Sequence, residues 1–135
     1  MDIKHVLAWL VVVDRDMAGI RNNLFGPEPV PAVAAYHCQQ AAEKLVKLVL
    51  VSLGQSPPKI HNIVALVDDV PLNHPLRPRL VPLEQFTPFG FAYRYPGSTP
   101  FDDPVDELGV DEVASWLAEI QAVRAEVVAF LELAP

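Results

Sequence analysis

The chain has 135 residues, 51% of them hydrophobic and 20% charged, with a net charge of −7. That length holds one folded domain rather than two, and the apolar content excludes a disordered segment. A single cysteine, Cys38, excludes an internal disulfide framework and a cysteine-built zinc cluster.

The first helix is predicted over residues 2–24. Ile3, Val6, Leu7, Leu10, Val13, Met17, Ile20 and Leu24 recur at three- and four-residue steps, which places them on one face. Asp2 suits its N-terminus, and Gly26-Pro27 ends it. Its apolar run Val6–Val13 is far shorter than the ~20 residues a membrane span needs. Met1-Asp2 opens without a basic leader, so a cytoplasmic protein with no membrane association is expected.

A stiff connector, Pro27-Glu28-Pro29-Val30-Pro31, precedes a second helix predicted from Ala32 to Leu53. Ala34, Cys38, Ala41, Ala42, Leu45, Leu48 and Val49 form its core stripe, with Gly54 and Pro57-Pro58 beyond its end. His37, Gln40, Lys44 and Lys47 run down the other side. A short third helix is expected over His61–Val70, with Ile63, Leu66, Val67 and Val70 inward. Eight of the 14 prolines fall between residues 71 and 104 and exclude long helices there. A broken helix between Leu76 and Tyr93, interrupted near Thr87-Pro88, is followed by a loop from Pro96 to Pro104. The last helix spans Val110–Leu133 with Val113, Trp116, Leu117, Ile120, Val123, Val127, Phe130 and Leu131 inward. Strand signals are nearly absent. The expected fold is all-α: residues 1–135 as one up-and-down bundle of four to five helices.

The charge is unevenly spread. Residues 1–94 balance at +1, while residues 95–135 carry −8 with Arg124 their one cation. An acidic surface disfavours tracking along a nucleic-acid duplex, but leaves room for a local basic site in the first two-thirds.

Tyr36-His37-Cys38-Gln39-Gln40-Ala41-Ala42-Glu43-Lys44-Leu45-Val46-Lys47, followed by Pro57-Pro58-Lys59-Ile60-His61-Asn62-Ile63, is the most distinctive stretch. It resembles the HEPN family (higher eukaryotes and prokaryotes nucleotide-binding), whose second helix carries Gln-Ala-x-Glu-Lys and whose next helix opens on Lys-x-His-aliphatic. Asp14-Arg15-Asp16-Met17-Ala18 in the first helix and Tyr93-Arg94-Tyr95-Pro96 further on match family segments in the right order. The resemblance implies a helical bundle that commonly homodimerises and is often encoded beside a minimal nucleotidyltransferase. Some such pairs are toxin–antitoxin modules whose HEPN member cuts RNA; other relatives are implicated in binding nucleotides.

The RNA-cutting members carry Arg followed four to six residues later by His, a spacing that brings a phosphate-binding cation and a general acid/base to one phosphate. None of the six arginines here has a histidine in that window. Arg15 and Arg21 miss theirs, and no histidine follows Arg77, Arg79, Arg94 or Arg124. The expectation is therefore a non-catalytic member, a nucleotide-binding or interaction subunit. The alternative is a metal-independent ribonuclease toxin with a non-standard site. His74 and Arg77 offer a reversed pair, but a polar, proline-rich loop collects such residues anyway.

Candidate ligand-binding residues are Gln40, Lys44, Lys47 and Arg94, as amide and cationic groups lining a groove beside the second helix. The same face serves equally as a solvated or dimer-facing surface, with Glu43–Lys47 an ordinary i, i+4 pair. Tyr36, Glu43, His61 and Tyr95 are secondary candidates. His61 either meets a ligand or caps the third helix. Arg94 lies between two tyrosines, near Phe89 and Phe91, which read as a core plug. No metal site or cofactor is expected: His37 has no His-x3-His partner, and glycine-rich phosphate loops and His-Glu-x-x-His are absent. Asp102-Asp103 and Asp106-Glu107 lack the glycine-centred loop of a calcium site and read as solvated. The mean hydropathy of +0.23 suggests more apolar surface than a monomer hides, hence a homodimer.

Overall fold

The computed structural model describes residues 1–90 and 108–133, and in these residues every regular element is helical. Helices α1 (Ile3–Phe25), α2 (Pro31–Ser52) and α5 (Val110–Phe130) are long. Between α2 and α5 lie the short α3 (Ile63–Asp68) and α4 (Arg77–Leu80), then a 3₁₀ stretch over Val81–Gly90. The bundle expected from periodicity is the one observed.

The five residues between α1 and α2 allow only a tight reversal, so the two helices pack as an antiparallel hairpin and share the most extensive interface in the molecule. The small side chains Ala34, Ala35, Cys38, Ala41 and Ala42 are fully buried, which lets α1 approach closely. The 3₁₀ stretch and α5 cover further faces of α2, making it the central helix. From Ala34 to Leu50 it has no exposed residue. Two of its charged side chains are therefore interior ones, a point that periodicity alone did not give.

The helix ends follow from local chemistry. Gly54 adopts φ +80°, a left-handed conformation that glycine enters without a Cβ clash. This lets Gln55 N donate to Leu50 O and Gly54 N to Val51 O, closing the last turn of α2. Helix α5 ends the same way with Glu132 at φ 54°, and Leu133, in the next position, is buried. The third helix begins at Ile63 rather than His61. Asn62 is its cap, its side chain accepting from Ala65 N, so the capping role considered for His61 belongs to its neighbour.

Three further expectations are corrected. Ile3 and Leu7 lie on the outside of α1, because α2 and α5 cover only the stripe from Val6 through Leu24. Phe130 is exposed at the end of α5, with its ring 5.4 Å from that of His74. The broken helix changes character at Leu80–Val81 rather than at Thr87-Pro88; Pro88 is carried within the 3₁₀ stretch. That stretch does supply the aromatic plug: Phe86 is fully buried, and Phe89 stacks on Trp116 of α5 at 4.8 Å. Phe91, Tyr93, Arg94, Tyr95, the Pro96–Pro104 loop and the 102–107 acidic run lie outside the described residues.

Candidate functional site

Three of the segments that carry the family resemblance, in α1, in α2 and before α3, meet at two carboxylates, Asp16 and Glu43. Asp16 sits on the buried stripe of α1, where a carboxylate needs partners to offset its desolvation. Helix α2 provides two: Lys44 Nζ donates to Oδ2 at 2.6 Å, and His37 Nδ1 lies 3.1 Å from Oδ1. Burial raises the Asp16 pKa, but the hydrogen bonds and charge of His37 and Lys44 outweigh it and hold the carboxyl below its ordinary 3.8. The imidazole of His37 lies against the Cα of Gly19, one turn below Asp16: a Cβ there would sit 3.0 Å from the ring.

Glu43 is the second centre. Its side chain is 3% exposed, and both oxygens are engaged. Lys47 Nζ donates to Oε2 at 3.0 Å; Gln39 Nε2 donates to Oε1 at 3.0 Å; His61 Nδ1 is 2.9 Å from the same oxygen. Gln39, itself fully buried, also donates to His61 O at 3.1 Å and accepts from Gln40 Nε2 at 2.6 Å. Each polar atom of the Gln39 amide is thus satisfied, as an interior position requires.

These geometries change the meaning of the predicted site. Lys47 and His61 meet at Glu43, with Gln40 joined through Gln39, while Lys44 belongs to Asp16, and the two lysines do not form an open cationic groove. Lys47, at 8% side-chain exposure, is an interior cation neutralised by Glu43; Lys44, at 20%, is neutralised by Asp16. The reason is the covering of α2 by its neighbours, which turns an apparently solvated i, i+4 pair into a buried one. Asp16, Gln39 and His37, which sequence reasoning passed over as site residues, are integral to the network. The signal for Asp16 was its place on the apolar stripe of α1, since an acidic residue there must be paired. Tyr36 packs edge-on to His37, with ring centroids 5.5 Å apart.

His61 is the one member facing outward, with its side chain 77% exposed. A carboxylate only accepts, so Nδ1 is the donor to Glu43, and this contact orients the exposed ring. Cys38 is buried, its thiol pushed up to about 12 by desolvation, and is not a nucleophile. No group of three or more His, Cys, Asp or Glu able to hold a metal occurs among the described residues. No described helix is long and apolar enough to cross a membrane.

An all-α bundle whose central helix carries Gln39-Gln40-Ala41-Ala42-Glu43-Lys44 and binds both an acidic residue of the first helix and a histidine before the third is a defined class of helical domain. A family model, the HEPN domain, matches residues 22–129. The chain belongs to the HEPN family, and with it to a superfamily of nucleotide-binding and ribonuclease-type proteins. No curated protein and no solved structure matches it.

Proposed function

We propose that this is a non-catalytic HEPN protein acting in the cytoplasm as a homodimeric binding or interaction subunit, paired with a minimal nucleotidyltransferase in a two-gene module of the toxin–antitoxin kind. The observation that carries this reading is the fate of the charges. No arginine has a histidine four to six residues on, and both lysines of α2 are spent on carboxylates of the same chain. Cleavage of a phosphodiester needs a cation free to take the phosphate and a group to move the proton, held together. The α2 network holds its cations inward. Buried against Glu43, Lys47 is not the group that meets a nucleotide or RNA.

A second reading, a ribonuclease with a non-standard site, is favoured by one observation: the Glu43–His61 pair, a buried carboxylate orienting an exposed imidazole. Incubating purified protein with total cellular RNA, alongside His61→Ala, separates the two. The expected result is intact RNA with both proteins. Cutting by the wild type that disappears in His61→Ala would overturn the non-catalytic reading. For the assembly, sedimentation should give twice the 14.9 kDa chain mass, and the monomer mass at micromolar concentration would refute the dimer.

A further inference from the structure

Helices α1 and α5 flank an open cleft of about 410 Å³ lined by none of the α2 network residues. Asp14, Met17 and Arg21 line it from α1, at one- and two-turn spacing, and Gln121 and Arg124 line it from α5. Arg124 is held by a two-point contact with Asp14: Nε donates to Oδ1 at 2.6 Å and an Nη donates to Oδ2 at 3.0 Å. This contact uses Nε and one Nη of the guanidinium and fixes its plane in advance, and Arg124 has no other hydrogen-bond partner among the described residues. Arg21 is exposed and has no ion pair among the described residues. The lining therefore carries two guanidiniums against one carboxylate, on a chain whose net charge is −7. Buried Met17 contributes an apolar side chain, and the Gln121 amide can both donate and accept.

From this we infer that the α1–α5 cleft binds a small phosphate-bearing organic molecule. Arg21 and the outer edge of Arg124 would hold the phosphate, with the organic part lying toward Met17 and Gln121. A phosphate fits better than a carboxylate because its several acceptor oxygens can take donors from two guanidiniums at once. The volume lies within the ~300–1,000 Å³ span of small-molecule sites, more than a bare anion fills. The inference rests on the binding-subunit reading above but assigns the ligand to a different face, so the two fail separately.

The test is an amide-shift titration of the full chain with inorganic phosphate and with adenosine 5′-monophosphate. Shifts should cluster at residues 14–21 and 121–124, with the nucleotide binding more tightly than phosphate. Arg21→Ala should weaken binding about fivefold or more, since one of two charge-assisted contacts is lost. Lys4→Ala, an exposed cation elsewhere on α1, should leave it unchanged. The inference is overturned if no shifts appear at these residues up to about 20 mM ligand, weaker than any useful site, or if Arg21→Ala binds as the wild type does. RNA cutting in the preceding assay would overturn the non-catalytic reading without altering this result.

Discussion

Glu43→Gln isolates what the buried charge at the centre of the network contributes. Glutamine keeps the volume and, through Oε1, an acceptor for Gln39 and His61. What it loses is the negative charge facing Lys47, and its amide NH2 would be set against an ammonium. Lys47 Nζ lies 3.0 Å from Glu43 Oε2 with its side chain 8% exposed, so little of it reaches solvent, and it is ion-paired to no other carboxylate among the described residues. Stranding one member of such a pair costs about 3–5 kcal/mol. At about 3–4 °C per kcal/mol for a domain this long, Tm should fall by about 10–20 °C. Glu43→Gln/Lys47→Met removes the stranded ammonium as well, and should recover about 2 kcal/mol of that loss, because a buried pair replaced by apolar bulk is often neutral. Thermal melts of both singles and the double complete the cycle. A Glu43→Gln Tm within about 3 °C of wild type, less than 1 kcal/mol, would refute the reasoning. So would a double variant whose loss is simply the sum of the two singles.

The Asp16 carboxyl titrates below 3.8, so its contribution to stability is fully present above that pH and is lost as pH falls through its lower folded value. Asp16→Asn should therefore lower Tm near neutrality, with the gap from wild type closing below pH 4; a gap independent of pH would refute it. Gly19→Ala gains helix propensity of about 1 kcal/mol but drives a Cβ to 3.0 Å from the His37 ring. Overpacking costs about 1–3 kcal/mol, so Gly19→Ala should lower Tm in the wild type yet raise it in a His37→Ala background; the same sign in both would refute the contact. Glu132→Gly relieves the left-handed strain at the end of α5 and should raise Tm by a few degrees, with an unchanged melt as the contrary result.

The three long helices were legible because each repeats an apolar stripe at helical spacing over five or more turns. The short third helix was legible too, from Ile63, Leu66 and Val67, but its start was placed two residues early, and the switch from α-helix to 3₁₀ at Leu80–Val81 was missed because so few residues give a periodicity too little length to register. At the site, the sequence located Gln40, Glu43, Lys44 and Lys47 but gave them the wrong exposure. Val49 was placed in the core correctly, whereas Lys47 reads as a surface residue until it is known that α1, the 3₁₀ stretch and α5 all lean on the same helix. Asp16 went unread for the converse reason: its partners His37 and Lys44 are 21 and 28 residues away, and only the hairpin brings them near. Arg94 and Tyr95 lie beyond the described residues, so the part of the predicted groove they supply is not in the geometry above.

The enclosure of α2 also sets how the chain should exchange its amide hydrogens. Helices α3 and α4, at six and four residues, can open singly and exchange early. From Ala34 to Leu50, α2 can reach solvent only when the helices around it separate, which is the unfolding of the whole domain. Deuterium uptake in α2 therefore reads global stability. A partner that docks anywhere on the folded chain will slow uptake in α2, whereas slowing in α3 in addition will mark that partner as sitting there.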